Sequence, residues 1–440
     1  MKVVKFGSSA VATAEKIRVS AKIAAAHKGE NNIIVVSSIK GTTTCLIEIA
    51  DYLYKKNPDG AKEMTNALEL KYIQLVDDLF TDQQQKATVT KEISARFDEI
   101  RKLSQDIFTL FEEKRIVAQG ELLISYLFTE YLKGMGLNVK NLPALNFMRI
   151  DKNEEPDTVF IKKSLENQLE AAGHADLYIT EGFICRNAYN ETDNLKKGGS
   201  DYTAALIGAV LHADEIQIWS DKTAIYRIDN SIIKDARPVD KLNFDEAAEL
   251  AYFSAKALHP ICLTPAKLEN VPVKLLNINQ GEDNATFIST AFTSNKVEVV
   301  AAKDGITSIR IKSSRMLFAH GFLRRVFEVF EQYKTSIDMI TTSEIGVSVT
   351  IDNEKKLEDI LDDLKKFGTV STNRNMTIIC VVGDLTDQNK GIQGKVLAAL
   401  GNLPISMISY GASGNNISIL IHSEDKEQAL KALNNEFFVK

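Results

Sequence analysis

The sequence predicts an α/β protein in which a mainly parallel central sheet is followed by two ferredoxin-like modules. The first observation is that the apolar runs 2–6 and 32–37 flank a segment of helical spacing at 11–27. Continuous apolar strands joined through a helix are typical of a buried parallel sheet. The second observation is that the order βαββαβ, which is the ferredoxin-like plan, occurs twice in succession after about residue 297.

The first domain is predicted to span residues 1–285. A long helical stretch at about 43–135 follows the second strand, and its only proline is Pro58. The polar segment 286–296 lacks a strong period and is predicted to be a linker. Further strand-like runs lie at 175–180, 214–219 and 272–276.

The two modules are predicted at 297–374 and 375–440, with the initial strand at about 297–302 left open between them. The first copy is expected to have strands at 306–311, 337–341 and 345–351 and helices at 320–333 and 355–366. The second is expected to have strands at 376–382, 405–409 and 415–421 and helices at 391–400 and 424–435. The segments IDMITTS and ISMISYGAS occupy matching places, which indicates an internal repeat.

Composition and charge argue against several classes of protein. The net charge of −6 argues against a nucleic-acid partner, because a phosphate-binding surface usually carries a basic surplus. The four cysteines are scattered without CxxC spacing, so neither a zinc site nor a disulfide framework is predicted. The sequence has no signal-peptide pattern and no apolar run long enough to span a bilayer. We therefore expect a cytoplasmic protein with no membrane partner.

Two glycine-centred segments at predicted strand-to-helix junctions are candidate phosphate-binding sites. The sequence has no Walker A motif and no GxGxxG after a strand, so P-loop and Rossmann interpretations lose their main support. Residues 5–9 (KFGSS) offer a lysine ammonium and backbone N–H groups to phosphate oxygens. Residues 197–201 (KGGSD) open a helix, whose positive end faces an anion. Either segment alone is also compatible with a tight turn and a helix cap.

Taken in order along almost the whole chain, a series of sequence blocks resembles the aspartokinase family. In the first domain these blocks are KFGSSAV (5–11), VVSSIKG (35–41), Gly120-Glu121, KGGSDYTAA (197–205), WSDKTAIY (219–226) and FSAKALHP (253–260). In the modules they are GFLRRVFEVF (321–330), SIDMITTSE (336–344) and ISMISYGAS (405–413). One such block would be a weak signal, whereas the ordered series identifies a family.

The resemblance is to the monofunctional aspartokinases that carry tandem ACT domains at the C-terminus. It implies a three-layer α/β/α amino-acid-kinase domain followed by two ferredoxin-like ACT domains. The implied reaction is ATP-dependent phosphorylation of L-aspartate to 4-phospho-L-aspartate, the first step of lysine, threonine and methionine biosynthesis, under feedback control by an amino acid. The implied cofactors are ATP and Mg²⁺, with the metal carried by ATP rather than by protein ligands. ACT domains further imply a homodimer or a higher homo-oligomer.

The resemblance also implies roles for individual residues. Lys5 would stabilise the transferred phosphoryl group and Asp201 would hold Lys5 in place, so these two are the predicted catalytic residues. The residues implied for phosphate binding are Gly7, Ser8, Ser9, Gly198 and Gly199. Those implied for substrate binding are Ser38, Glu121, Lys197 and Ser200, and those for the nucleotide are Ser220, Asp221, Tyr226 and Lys256.

The predicted effector site lies in the first ACT domain. Its implied contacts are Met316, Ser336, Asp338, Thr342, Ser343 and Glu344. The acidic Asp338 and Glu344 suit an effector with a cationic side chain. Lysine is therefore the favoured effector, with threonine as the alternative.

Several residues depart from the family pattern inside these blocks. Ser8 and Ala224 replace glycines, Lys197 replaces an arginine, and Ser231 stands where an arginine is expected near the nucleotide. Lysine cannot make the two-pronged contact of a guanidinium group with a carboxylate. Three interpretations stay open. We favour a divergent working aspartokinase over a kinase for another small acid and over a catalytically weak regulatory homologue.

Overall fold

The protein is described by a computed structural model, in which the chain divides into two compact units. The first unit comprises residues 1–224 and 256–291, and the second comprises 225–255 and 292–440. The structure describes residues 1–29, 31–104, 107–195, 198–221, 225–253, 260–292, 296–313, 320–385, 391–411 and 413–439.

The helices and strands follow one another along the chain in the order predicted for an α/β protein. From the N-terminus to the end of the first helical region they are β1 (Lys2–Phe6), α1 (Ala14–Ala26), β2 (Asn32–Val36), α2 (Thr42–Tyr54), α3 (Pro58–Leu79), α4 (Gln83–Leu103) and α5 (Leu110–Gly134). Next come β3 (Val139–Asn141), α6 (Thr158–Ala172), β4 (Leu177–Glu181), β5 (Ile184–Arg186), β6 (Thr192–Asn194), α7 (Gly199–Val210), β7 (Glu215–Ser220), β8 (Lys241–Leu242), α8 (Phe244–Phe253), α9 (Leu263–Leu268), β9 (Val273–Asn277) and β10 (Gly281–Ile288). The last part contains β11 (Val297–Lys312), α10 (Phe322–Gln332), β12 (Ile340–Ser343), β13 (Gly346–Ile351), α11 (Leu357–Leu364), β14 (Thr369–Gly383), α12 (Ile392–Ala399), β15 (Met407–Tyr410), β16 (Asn416–His422) and α13 (Lys426–Phe437).

The first unit is built on a sheet with the strand order β3-β4-β2-β1-β7-β9-β10. Neighbouring strands run parallel from β3 to β9, and β10 is antiparallel to β9. Strand β1 lies between β2 and β7, with Lys5 opposite Val35 on one side and Ile218 on the other. The prediction of a mainly parallel central sheet is confirmed.

Polar caps divide the predicted helical stretch 43–135 into α2, α3, α4 and α5. The Asn57 side chain accepts a hydrogen bond from Gly60 N at 3.0 Å, and Pro58 occupies the first turn of α3. Asp82 caps α4 in the same way, with its side chain accepting from Gln85 N at 2.7 Å. These caps satisfy N–H groups that have no partner at the start of a helix. The helical periodicity therefore continues along the sequence although the helices are separate.

The second unit carries one continuous sheet with the order β12-β13-β11-β14-β16-β15. Strands β11 and β14 are long and antiparallel, and they run through both ferredoxin-like modules. Helices α10 and α11 cover one part of the sheet with residues such as Val326 and Ile360. Helices α12 and α13 cover the other part with residues such as Val396 and Leu430. The initial segment 297–302 pairs with the later half of β14, which belongs to the second module.

The predicted domain boundaries differ from the compact units. The prediction runs the first domain without a break from 1 to 285, whereas residues 225–255 belong to the second unit. The physical reason is that Ile228 is buried in the same core as Val297, and Val300 N donates a hydrogen bond of 2.7 Å to Arg227 O. The predicted linker 286–296 also begins inside strand β10, which extends to Ile288.

We predict that Phe97→Ala lowers the stability of the first unit by about 3–5 kcal/mol, because it leaves a large cavity in a packed core. Phe97 is completely buried and packs edge-on against Tyr72, with ring centroids 5.8 Å apart. The measurement is urea unfolding followed by tryptophan fluorescence, because the single tryptophan, Trp219, lies in the same core.

The matched control is Leu70→Ala on the neighbouring helix α3, where the side chain is 67% exposed. This change should stay within about 0.5 kcal/mol of the parent protein. Equal effects of the two substitutions would contradict the packing described for α3 and α4.

Candidate active site

The predicted site residues of the first unit gather at the carboxyl ends of the parallel strands. Lys5 lies near the end of β1, Ser38 follows β2, and Ser220 ends β7. Helix α7 begins at Gly199, so Asp201 lies in its first turn. The carboxyl edge of a parallel sheet is the usual place for a ligand in open α/β folds.

The structure brings the two predicted catalytic residues into contact. Lys5 Nζ and Asp201 Oδ1 are 2.5 Å apart, and the two side chains are only 9% and 15% exposed. The positive end of helix α7 stabilises the carboxylate of Asp201, since an anion in the first turn complements the helix dipole. The lysine ammonium is therefore held at a defined position instead of moving freely in solvent.

Gly7 provides the space that the lysine ammonium occupies. A side-chain carbon at this position would lie 3.2 Å from Lys5 Nζ and 3.3 Å from Trp219 O. The chain then turns, with Gly7 N donating to Trp219 O at 2.9 Å and Ala10 N donating to Gly7 O at 2.8 Å. Ser8, which replaces a glycine of the family pattern, is exposed. The turn of residues 7–10, which we call the glycine cradle, lies beside the buried ammonium of Lys5. This arrangement fits a phosphate group.

Glycines also let helix α7 approach the end of strand β4. A side-chain carbon on Gly182 would lie 2.5 Å from Ser200 Cβ, and one on Gly199 would lie 2.3 Å from Phe183 Cδ2. Gly198 has a positive φ of 80°, which favours glycine, at the start of the helix. The predicted residues Gly198, Gly199 and Ser200 therefore form a close backbone contact at the sheet edge.

Glu121 is a buried carboxyl group on helix α5. Burial raises the pKa of Glu121 to about 8, although hydrogen bonds from Ser38 and the nearby Lys5 act in the opposite direction. Its neighbour Gly120 packs against Ser38, and an added Cβ would lie 3.3 Å from Ser38 Cβ. Among the described residues, Glu121 Oε2 has no hydrogen-bond partner. This oxygen is suited to a ligand that brings a positive charge.

Glu181, the last residue of β4, is a second buried carboxylate that the sequence interpretation missed. It accepts hydrogen bonds from Ser125 Oγ at 2.6 Å and from Ala144 N at 2.8 Å. Its negative charge contributes to the raised pKa of Glu121. The available signal was the Thr180-Glu181-Gly182 segment, in which an acidic residue follows an apolar strand directly.

Asp221, which follows β7, connects that strand to the turn after β1. Asp221 N donates to Ser9 Oγ at 3.2 Å, and Lys16 Nζ lies 2.6 Å from Asp221 Oδ2. Burial pushes the pKa of Asp221 upwards, but Lys16 and Ser9 outweigh it, so the pKa lies below its ordinary value. Lys16, in the first turn of α1, was not among the predicted residues.

The remaining predicted residues fall into two groups. Lys197, Lys256 and Met316 lie outside the described residues, as does the departure Ala224. Tyr226 belongs to the second unit, where it forms an isolated bridge with Pro238.

The predicted effector residues of the second unit lie around β12. Thr342 and Ser343 are exposed on this edge strand, Glu344 follows it, and Ser336 is exposed before it. Asp338 differs from them because its side chain is only 1% exposed. The predicted strand 337–341 begins later than expected, at Ile340.

Two features are absent from the described part of the chain. No group of three or more His, Cys, Asp or Glu side chains that could hold a metal ion occurs there. Nor does that part contain a helix both long and apolar enough to cross a bilayer.

Comparisons with known proteins match both parts of the chain. The family model of the amino acid kinase family matches residues 1–277, and a model of the ACT domain matches residues 379–437. The chain is 31% identical to aspartokinase 3, chloroplastic, of Arabidopsis thaliana over 468 residues, covering 99% of this chain and 81% of that protein. It is 29% identical to lysine-sensitive aspartokinase 3 of Escherichia coli, covering 99% and 98% of the two chains.

Solved structures agree with the sequence comparisons. The chain is similar to E. coli aspartokinase III in complex with lysine and aspartate (T-state), with a TM-score of 0.87, 28% identity and coverage of 100% and 99%. It is also similar to the same enzyme in complex with aspartate and ADP (R-state), with a TM-score of 0.83, 28% identity and coverage of 100% of both chains. The family predicted from the ordered blocks is thereby confirmed: the chain belongs to the amino acid kinase family and, within it, to the aspartokinases.

Proposed function

We propose that this chain transfers the γ-phosphoryl group of ATP to the side-chain carboxylate of L-aspartate, forming 4-phospho-L-aspartate and ADP. The observation that carries the proposal is the buried pair of Lys5 and Asp201, placed beside the glycine cradle and Glu121. E. coli aspartokinase III, to which the chain is similar, was solved in complex with aspartate and ADP, which supports the same substrates here.

The reaction needs positioning and charge neutralisation more than proton transfer. The aspartate carboxylate is already a nucleophile, so its oxygen bonds to the γ-phosphorus while the bond from that phosphorus to the β–γ bridging oxygen breaks. Lys5 stabilises the charge on the transferred group, and Asp201 fixes the position of the ammonium. We propose that Mg²⁺ arrives bound to ATP, where it supplies further neutralisation of the phosphates.

Substrate recognition is assigned to the two ends of aspartate. Glu121, whose Oε2 has no hydrogen-bond partner among the described residues, binds the ammonium group of the substrate. Ser38 lies beside Glu121, and Ser200 lies at the start of α7. Lys197 is assigned to the α-carboxylate from the sequence resemblance alone. The choice between aspartate and another small acid therefore depends on a residue outside the described ranges.

Regulation is assigned to the second unit. We propose that lysine binds next to Asp338 in the first ACT domain, since a buried carboxylate suits a cationic side chain, with threonine as the alternative. A homodimer or larger homo-oligomer would form through the ACT domains, whose sheet ends in the edge strands β12 and β15. The proposed setting is amino-acid biosynthesis towards lysine and threonine in the cytoplasm.

Lys5→Ala and Asp201→Asn should each lower turnover with MgATP and aspartate by about a hundredfold to a thousandfold, because each removes or misplaces the cation at the transferred group. Turnover is measured by coupled ADP release, and the acyl phosphate product is trapped as a hydroxamate. The control is Lys28→Ala, an exposed lysine just after α1, which should leave the rate unchanged. Near-normal rates in both site variants would contradict the assignment. If the unmodified chain shows no turnover with aspartate or with a panel of other small acids, only a regulatory role would remain.

Glu121→Gln should raise the KM for aspartate about tenfold or more, because a charged hydrogen bond to the substrate is lost. The pKa of Glu121 is raised to about 8, so the protonated form prevails in the free protein below that pH. An ammonium ligand needs the carboxylate, so a proton must leave on binding. The KM of the unmodified protein should therefore fall as pH rises towards about 8, and Glu121→Gln should lose that slope. Glu63→Gln, on the exposed side of α3, is the control; a parallel slope in the Glu121 variant would refute the role.

A further inference from the structure

Three contacts hold the turn after β1 against the end of β7. Gly7 N donates to Trp219 O, Asp221 N donates to Ser9 Oγ, and Lys16 Nζ lies 2.6 Å from Asp221 Oδ2. The Lys16 side chain is 29% exposed, so most of it is covered and its ammonium lies at the edge of the glycine cradle. The mechanism described above uses neither Lys16 nor its position.

The charges around the cradle show why a second cation matters there. Lys5 is paired with Asp201 at 2.5 Å, so its charge is already balanced. Two further acidic groups, Glu121 and Glu181, are buried in the same site, and the charge of Glu181 acts on Glu121. A nucleoside triphosphate brings several further negative charges to this place. Lys16 is a second cation at this position, and Lys40 adds a weaker electrostatic effect on Asp221.

We propose that Lys16 binds the phosphates of the nucleotide. In the free protein, Asp221 would hold the ammonium of Lys16 beside the glycine cradle. A lysine held by a single carboxylate retains N–H donors for phosphate oxygens, since an ammonium has three. This inference rests on the proposed use of ATP but not on aspartate as the acceptor. A purely structural alternative is that Lys16 only fastens the turn to β7.

The test is Lys16→Gln, which removes the charge and shortens the side chain by one atom. The Kd for ADP, measured by titration calorimetry, should rise about tenfold, whereas the Kd for adenosine should change less than about twofold. Lys16→Arg should restore ADP binding, and Lys22→Gln, an exposed change on the same helix, should have no effect. Calorimetry without the acid substrate separates this result from any failure of aspartate phosphorylation.

Two outcomes would overturn the proposal for Lys16. Unchanged ADP binding in Lys16→Gln would show that the ammonium does not contact phosphate. Equal weakening of ADP and adenosine, together with a lower melting temperature, would show that Lys16 only fastens the turn. If the unmodified chain binds no adenine nucleotide, the proposal and the kinase assignment both fail.

An independent cluster in the second unit surrounds the buried carboxyl group of Asp338. Lys303 Nζ, on β11, lies 3.4 Å from Asp338 Oδ1 and 2.8 Å from Asp352 Oδ2. The same ammonium donates to Tyr252 OH at 2.7 Å and lies 4.0 Å from the centre of the Tyr252 ring. Among the described residues, Asp338 Oδ2 is buried without a hydrogen-bond partner.

The cluster has more acidic groups than basic ones, so a further cation would be stabilised there. Two carboxyl groups face one lysine, and burial together with Asp352 raises the pKa of Asp338 to about 7. An added ammonium group at Asp338 Oδ2 would stabilise the ionised form and compete for the partner of Lys303. Tyr252 lies on α8, and the chain continues from α8 into the segment that contains Lys256, which is outside the described residues.

We infer that Lys303 and Tyr252 transmit the binding of a cationic effector at Asp338 to helix α8. The inference deepens the proposed regulation and rests on it. When the ligand's ammonium takes part of Asp338, the contacts of Lys303 shift towards Asp352, and its contacts with Tyr252 change. The proposed change would therefore reach α8 through the contact of Tyr252 with Lys303 on strand β11.

Tyr252→Phe should separate effector binding from its consequence, because it removes the hydroxyl and keeps the ring. L-Lysine should bind with a Kd within about twofold of the parent value, while the lysine-induced change in the KM for ATP shrinks about fivefold or more. Activity without lysine should be unchanged. The control is Tyr333→Phe, which removes the hydrogen bond of 2.8 Å that Tyr333 OH donates to Asp363 elsewhere in the unit. This variant should be inhibited by lysine as strongly as the parent protein.

Inhibition of Tyr252→Phe by lysine at the parent level would overturn the relay while leaving the effector site in place. If the unmodified chain binds neither lysine nor another cationic amino acid in calorimetry, both the relay and the proposed effector are wrong. Asp338→Asn should abolish lysine binding, which ties the signal to this cluster rather than to another site.

Discussion

The ion pair of Lys5 and Asp201 is the interaction on which the arrangement of the first unit depends. Two charges with little exposure to solvent are tolerated only when they satisfy each other closely. The pair therefore requires that the first turn of α7 reach strand β1. Gly182 and Gly199 make this approach possible, because a side-chain carbon on either would collide with the opposite segment. The glycines and the charges form one constraint, although they are far apart in the sequence.

The acidic and basic groups near this pair belong to different elements of the first unit. Glu121 and Glu181 lie on α5 and β4, whereas Lys16 and the cradle belong to the turn and helix that follow β1. This separation is compatible with the proposed function, in which one site binds both an ammonium group and a polyphosphate. A parallel sheet allows acidic and basic groups to be separated in this way, because the segments after different strands place their side chains at the same edge.

Much of the fold and of the catalytic pair could be predicted from local patterns. Apolar strands, glycine turns and helical spacing are properties of neighbouring residues, and they predicted β1, β2 and the repeated modules. Glu181 had only a weak local signal, an acidic residue directly after an apolar run, and Lys16 had none. The importance of both comes from partners in distant elements, Ser125 and Asp221. The grouping of residues 225–255 with the second compact unit likewise depends on distant contacts. Ile228 is an ordinary apolar residue in the sequence, and only its packing beside Val297 shows to which core it belongs.

The long strands β11 and β14 have a consequence for how this chain can be divided. Each runs through both ACT modules, and β11 has an irregular register between Lys303 and Ile306, where Gly305 has a φ of 74°. A cut between the modules near residue 374 would sever β14 in its middle and leave two unpaired halves. The two modules therefore form one sheet that cannot be divided without unpairing both long strands. A chimaera in which the second unit is replaced by that of a relative should therefore exchange the whole sheet together with residues 225–255.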